Sequence, residues 1–178
     1  MNEKQTGANV KKQRVSEKDV RGYVIERFDG VKRSNRIKNL VSFQTMNKYM
    51  IMAHSQEELK ILGNIVASNK KIKFSDILIE YEKHLRKAME KKPTTKTHSN
   101  VIMHMFGYFS RDFNRTEKDQ FFDLLEHFKQ KKITIGQILS EINPIIYRFN
   151  NTYLASQTYF LLYSDPNTGN LFHMLGKN

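Results

Sequence analysis

Thr97-His98-Ser99-Asn100-Val101-Ile102-Met103-His104-Met105-Phe106-Gly107-Tyr108-Phe109 is the stretch on which the reading of the fold turns. Its apolar residues, Val101, Ile102, Met103, Met105, Phe106, Tyr108 and Phe109, cover nearly every face of a helix, a pattern that places the helix at the centre of a domain. Three polar side chains interrupt it. Asn100, His104 and Tyr108 follow one another at intervals of four, so they share one face, and Gly107 beside them lets a backbone or a ligand come close.

Upstream, Phe74–Lys92 reads as an amphipathic helix with Ile77, Leu78, Tyr81 and Leu85 inward and lysines outward, stopped by Pro93. Ser55 and Glu58 have capping-box spacing and start a helix whose stripe is Leu59, Leu62, Ile65 and Val66. Before it, Asn35–His54 is a helix whose Met50-Ile51-Met52 end should be deeply buried. Ser16 with Asp19 opens a first helix carrying Val20, Val24, Ile25 and Phe28, which Gly30 ends. Downstream, Asn114 with Glu117 caps a helix bearing Phe121, Phe122, Leu124, Leu125 and Phe128, and Thr134 with Gln137 caps another, perturbed at Pro144. A short helix over Tyr153–Phe160 follows, then a turn at Asp165–Gly169, after which Leu171–Leu175 docks back.

Strand alternation and internal repeats are missing. The expected fold is all-α: a single compact domain of about seven to eight helices over residues 16–178, behind a disordered basic tail, residues 1–15.

The net charge of +12 is unevenly spread. Residues 1–40 hold eleven Lys and Arg against five acids, residues 69–98 nine against four, and the remainder is close to neutral. Two basic strips point to a polyanion partner. The phosphate contacts they nominate are Lys11, Lys12, Arg14, Arg33 and Arg36 in the first strip, Lys70, Lys71, Lys83, Arg86 and Lys87 in the second, and Lys48 between them. The chain has no cysteine, which removes disulfides, thiolate-held zinc, iron–sulfur clusters and a cysteine nucleophile. Met1–Lys18 lacks the apolar core of a secretory signal and no run is apolar enough to span a bilayer, so a cytoplasmic compartment is expected.

Catalytic signatures are sparse. There is no His-Glu-x-x-His, no nucleophile elbow around Ser55 or Ser99, no glycine-rich phosphate loop and no paired carboxylate in the apolar segments. Neither a metal nor a cofactor is expected. Tyr147, Tyr153 and Tyr159 could stack on bases, although their spacing favours packing. The polar groups of the Thr97–Phe109 string, together with His54, are either an internal hydrogen-bonded brace or a pocket.

Lys48 leading into Met52-Ala53-His54-Ser55, then Leu62-Gly63-Asn64-Ile65-Val66-Ala67, the Thr97–Phe109 string, and Tyr153-Leu154 with Gln157 and Tyr159 follow in an order and separation that resemble the YbgA-like family, over roughly residues 16–166. The chain departs from the family pattern at Gln44 and Asn47, where members carry His and Tyr, and again around Ile138, Pro144 and Ile145. The resemblance implies a helical domain, found alone or fused to a desulfidase-type domain acting on thiolated uracil, with the helical part as the tRNA-binding partner. It adds Thr97, His98 and Gln157 to a candidate pocket of His54, Asn100, His104, Gly107 and Tyr108. The expected function is an RNA-binding module, for tRNA in particular, working alone or with a separate thiouridine-processing enzyme. Two rivals stand beside it: an enzyme using a His/Asn/Tyr-lined cleft on a nucleotide or small molecule, and a DNA-repair or protein-interaction accessory domain.

Overall fold

A computed structural model of the chain describes residues 15–165. The expected basic tail, with Lys11, Lys12 and Arg14, and the returning Leu171–Leu175 segment lie outside the described residues. Within them the fold is all-α: α1 (Glu17–Ser34), α2 (Ile37–His54), α3 (Gln56–Ala67), a 3-10 turn (Ser68–Lys70), α4 (Phe74–Glu90), α5 (Thr95–Phe109), α6 (Arg115–Lys129), α7 (Ile135–Arg148) and two short helices, α8 (Thr152–Ala155) and α9 (Thr158–Tyr163). No helix of the described residues is long and apolar enough to cross a membrane.

Local signals set most of the starts. Ser16–Asp19, Asn114–Glu117 and Thr134–Gln137 each form a complete capping box, in which side chain and backbone satisfy each other reciprocally. Ser55 forms half of one: its Oγ accepts from the Glu58 N–H, but the Glu58 carboxylate does not reach back. That carboxylate turns inward and is fully buried between α3 and α4, against His84 at 2.7 Å and Lys87 at 2.6 Å.

The first helix does not stop at Gly30. It runs on to Ser34 and ends at Asn35, whose φ of 48° and N–H bonds to Val31 and Lys32 carbonyls make a left-handed cap. Glycine weakens a helix by about 1 kcal/mol, but Val31 on the core side secures the next turn. The expected Tyr153–Phe160 helix is two helices, parted at Ser156-Gln157, because the Gln157 side chain is committed to α2. Pro144 sits inside α7 on its exposed side and does not end it.

The centre of the domain is α2 rather than α5. It packs against α1, α3, α4, α5 and α9, and Met50, Ile51 and Met52 are buried as their composition predicts. On one side Phe28, Phe43 and Tyr81 interlock, with Phe28 and Tyr81 stacked at 5.2 Å. The Tyr81 hydroxyl donates to Gln44. On the other side Phe106 stacks on Phe121 at 4.4 Å, with Phe109 and Phe113 edge-on, and this cluster fastens α6 to α5. Aromatic pairs in these geometries add about 0.5–1.5 kcal/mol each beyond area burial.

Candidate nucleic-acid interface

Helix α5 buries Val101, Ile102, Met105, Phe106 and Phe109 and leaves the opposite side open. Thr95–Phe109 contains no acidic residue. The open side is built from two rows at four-residue spacing, Lys96, Asn100, His104, Tyr108 and beside them Met103, Gly107, with Arg111 in the turn that follows α5. All are exposed except Asn100, which is half-buried and donates to Gln56 of α3 at 3.3 Å. Lys96 to Tyr108 spans about 18 Å along the helix, and Arg111 follows in the turn after it. The expectation that α5 is apolar all round therefore fails at Met103 and Tyr108, which are 39% and 47% exposed. Gly107 answers to no packing demand, since a Cβ there would meet nothing within 4 Å.

One end of this face is aromatic. Tyr108 lies 5.5 Å from Tyr153 of α8 at 34°, and Tyr153 lies 6.3 Å from Tyr49 of α2. Lys48 holds its ammonium 5.8 Å from the Tyr49 ring centroid. Burial first, and the Tyr108 hydroxyl second, push the Tyr49 phenol up; burial with the charge of Tyr108 pushes Tyr153 up to about 12. Both phenols stay neutral at physiological pH; Tyr49, 1% exposed, backs the aromatic end, and the accessible ring faces there are those of Tyr108 and the half-buried Tyr153. Tyr49, Gln56, Lys96 and Arg111 were not singled out from the sequence. The four-residue step from Lys96 to Tyr108 is the signal that could have found Lys96; Tyr49 and Gln56 are visible only once α2, α3 and α5 are packed.

The eight candidate pocket residues do not form one pocket. Asn100, His104, Gly107 and Tyr108 form the open face. Thr97 is the third helical residue of α5 and exchanges bonds with Thr94, so it closes a capping box. His54, His98 and Gln157 are internal. His54 Nδ1 donates to the Lys91 carbonyl at 2.6 Å, and its Nε2 lies 3.2 Å from the Tyr163 hydroxyl, which donates to Glu17 at 2.9 Å. His98 Nδ1 meets the Tyr159 hydroxyl at 2.6 Å, and its ring stands edge-on to Tyr163 at 5.1 Å. Gln157 accepts from the Tyr49 N–H at 3.3 Å and donates to the Thr45 carbonyl at 2.8 Å, two groups one turn apart in α2. These three side chains brace helix ends and turns; the open face carries the accessible chemistry. Two acids are buried where none was anticipated, Glu58 and Glu141.

The basic strips also divide. On α4, Lys83 pairs with Glu80 and Arg86 with Glu82, while Lys87 pairs with Glu58 of α3, so the α4 cations of that strip are neutralised within the domain. Arg33 and Arg36 sit at the α1–α2 turn and Lys70 and Lys71 at the α3–α4 turn, all exposed. Tyr159 is core, Tyr153 half-buried and Tyr147 73% exposed. Among the described residues no group of three or more His, Cys, Asp or Glu side chains is placed to hold a metal.

Residues 48–164 match the family described as "Protein of unknown function (DUF1722)". A protein of Escherichia coli (strain K12) named "Uncharacterized protein YbgA" is 27% identical over 135 residues, covering 75% of this chain and 79% of its own length. No solved structure matches.

Proposed function

The chain belongs to the DUF1722, YbgA-like family, and from the open face of α5 we propose that it is an RNA-binding module for tRNA, working alone or beside a separate thiouridine-processing enzyme. The observation that carries this reading is the composition of that face. It is free of acids along α5, has a cation at each end, and between them sets an amide, an imidazole and a phenol backed by Tyr153 and Tyr49. Phosphate contacts from Lys96, Arg111 and Lys48 would position an RNA strand, while an unpaired base stacks on Tyr108 and meets Asn100 or His104 along its edge. The exposed Arg33, Arg36, Lys70 and Lys71 would extend the footprint around the domain. Catalysis is not needed to account for this face, since no carboxylate or nucleophile–base pair stands on it.

The test compares binding of tRNA with a DNA duplex of equal length over a salt series. The proposal expects tRNA to bind more tightly and log K to fall linearly with log salt. Equal affinity for both polymers, with the same slope, would leave only nonspecific cation attraction.

A further inference from the structure

A second concave surface lies elsewhere on the domain. An open groove of about 570 Å³ runs between α1, α2 and the α8–α9 junction, and none of its lining residues comes from α5. Its size falls within the range of ligand pockets, about 300–1,000 Å³. Three features distinguish it from a packing defect.

The first is an arginine prepared for an anion. Arg27 directs Nε and Nη2 to the Tyr23 hydroxyl at 3.2 and 3.1 Å, and its guanidinium carbon sits 5.2 Å from the Tyr23 ring centroid. The guanidinium is thus oriented by a neutral phenol, and among the described residues no carboxylate pairs with it. No acid lines the groove. The second is a buried amide with capacity to spare. Asn47 is 3% exposed and donates from Nδ2 to the Phe43 carbonyl at 2.9 Å, while its Oδ1 accepts from no described residue. An acceptor at the base of a groove calls for a donor on whatever fills it. The third is Gly30, a helical glycine within α1 on the groove wall. A Cβ there would meet only Arg33 Nη2, at 3.8 Å, so the protein's own packing does not require glycine at this position. Its absent side chain leaves groove volume and keeps a second guanidinium at the edge.

We propose that this groove is a binding site for a mononucleotide, with its phosphate on Arg27, an N–H edge of the base on Asn47 Oδ1, and the ring against Met46 and Leu161. Both of those side chains are held out to solvent at 41% and 65% exposure. The mixed lining selects this class. A fatty acid would satisfy Arg27 but desolvate Asn39, Ser42, Asn47 and Thr158 without partners. A bare phosphate would leave the apolar rim unfilled. A ligand with one anionic group, hydroxyls and a flat N–H-bearing ring meets all three demands.

The site stands independently of RNA binding by α5, and calorimetric titration with uridine monophosphate, uridine and inorganic phosphate tests it. The nucleotide should bind saturably, with uridine and phosphate each at least about tenfold weaker. Arg27→Met should bring the nucleotide down to the level of uridine. Gly30→Leu should fill the groove and cost at least tenfold in nucleotide affinity while the circular dichroism spectrum stays that of the parent; Gly30→Ala, which adds one methyl to a good helix position, should weaken binding less and serves if the larger side chain perturbs folding. Absence of saturable nucleotide binding in the parent would overturn the proposal. So would phosphate binding as tightly as the nucleotide, or nucleotide binding that survives Gly30→Leu but is lost in Tyr108→Ala, which would place it on α5. Lys96→Ala and Arg111→Ala should leave nucleotide affinity unchanged, so the two sites fail separately.

Discussion

His54 Nδ1 donates to the carbonyl of Lys91 at 2.6 Å, and this one bond ties the last residue of α2 to the linker that leads into α5. The carbonyl fixes the tautomer: Nδ1 carries the proton, and Nε2 is left facing the Tyr163 hydroxyl. Tyr163 in turn donates to Glu17, so α1, α2, α9 and the α4–α5 linker converge on one imidazole.

That convergence predicts an acid-sensitive fold. Burial holds the His54 pKa below its ordinary 6.5, against weaker upward pulls from the Lys91 carbonyl and from Glu17, 3.7 Å from Nε2. A depressed pKa means the unfolded chain takes up the proton first as pH falls. The stability from neutral His54 is therefore complete above pH 6.5 and is lost as pH drops from there toward the folded-state value. Urea midpoints measured between about pH 8 and pH 5 should decline over the lower half of that range. His54→Asn should be less stable throughout but show a shallower decline. An identical decline in the variant would assign the acid sensitivity to another group.

A second titration lies on the α3–α4 contact. Burial pushes the Glu58 carboxyl up, but Lys87 and His84 hold it, on balance, below the usual carboxylate range. The contribution is present above the unfolded value of 4.5 and disappears as pH falls through the lower folded value. Lys87 is consequently a structural cation. Lys87→Glu should lower Tm by several degrees and Lys87→Arg should restore it, whereas Lys83→Glu, at an exposed pair, should leave Tm nearly unchanged. Equal Tm values for the Lys87 and Lys83 reversals would show that Glu58 does not depend on its lysine.

What could be read in advance follows the range of each interaction. Ser16–Asp19, Asn114–Glu117 and Thr134–Gln137 are three-residue affairs, so their spacing announced their helices. The shared face of Asn100, His104 and Tyr108 was legible for the same reason. Whether that face looked inward was not, because Met103 and Tyr108 resemble core by type, and only the docking of α2 and α6 on the other side of α5 leaves them out. Gly30 misled as a helix stop because glycine tolerates the helical conformation when the next turn is held by burial. Gln157 and Glu58 were opaque for a stronger reason: their partners Thr45, Tyr49, His84 and Lys87 are set by tertiary packing.

Gln157 illustrates the cost of such a long-range bond. It is 1% exposed and satisfies the Tyr49 N–H and the Thr45 carbonyl. Gln157→Leu keeps the volume and removes the amide; the Tyr49 N–H and Thr45 carbonyl keep each other as the i→i−4 pair of α2, so the loss is that of the two added bonds, about 0.5–1.5 kcal/mol each. The denaturant midpoint should fall accordingly with an unchanged m-value. If it holds within about 0.5 kcal/mol of the parent, the Gln157 amide adds nothing to the bond that Tyr49 and Thr45 already share.

On the α5 face, phosphate contacts and base contacts should separate in the same binding assay. Lys96→Ala and Arg111→Ala together remove the cations at the two ends of the exposed face, so tRNA affinity should fall for every sequence alike. The slope of log K against log salt should flatten by about 1.4–1.8. Asn100→Ala, His104→Ala and Tyr108→Ala should leave that slope as it is. Asn100 is half-buried with one exposed bond to Gln56 and His104 faces solvent, so these two variants should unfold within about 0.5 kcal/mol of the parent, whereas Tyr108→Ala also gives up the ring contact with Tyr153, about 0.5–1.5 kcal/mol. Their effect should appear in selectivity: Tyr108→Ala should cost about 1–3 kcal/mol of binding to a loop with an unpaired base and nothing with a fully paired stem. A stability loss well above 0.5 kcal/mol in Asn100→Ala with selectivity intact would make the amide a brace after all, and RNA recognition would then rest on the cations alone.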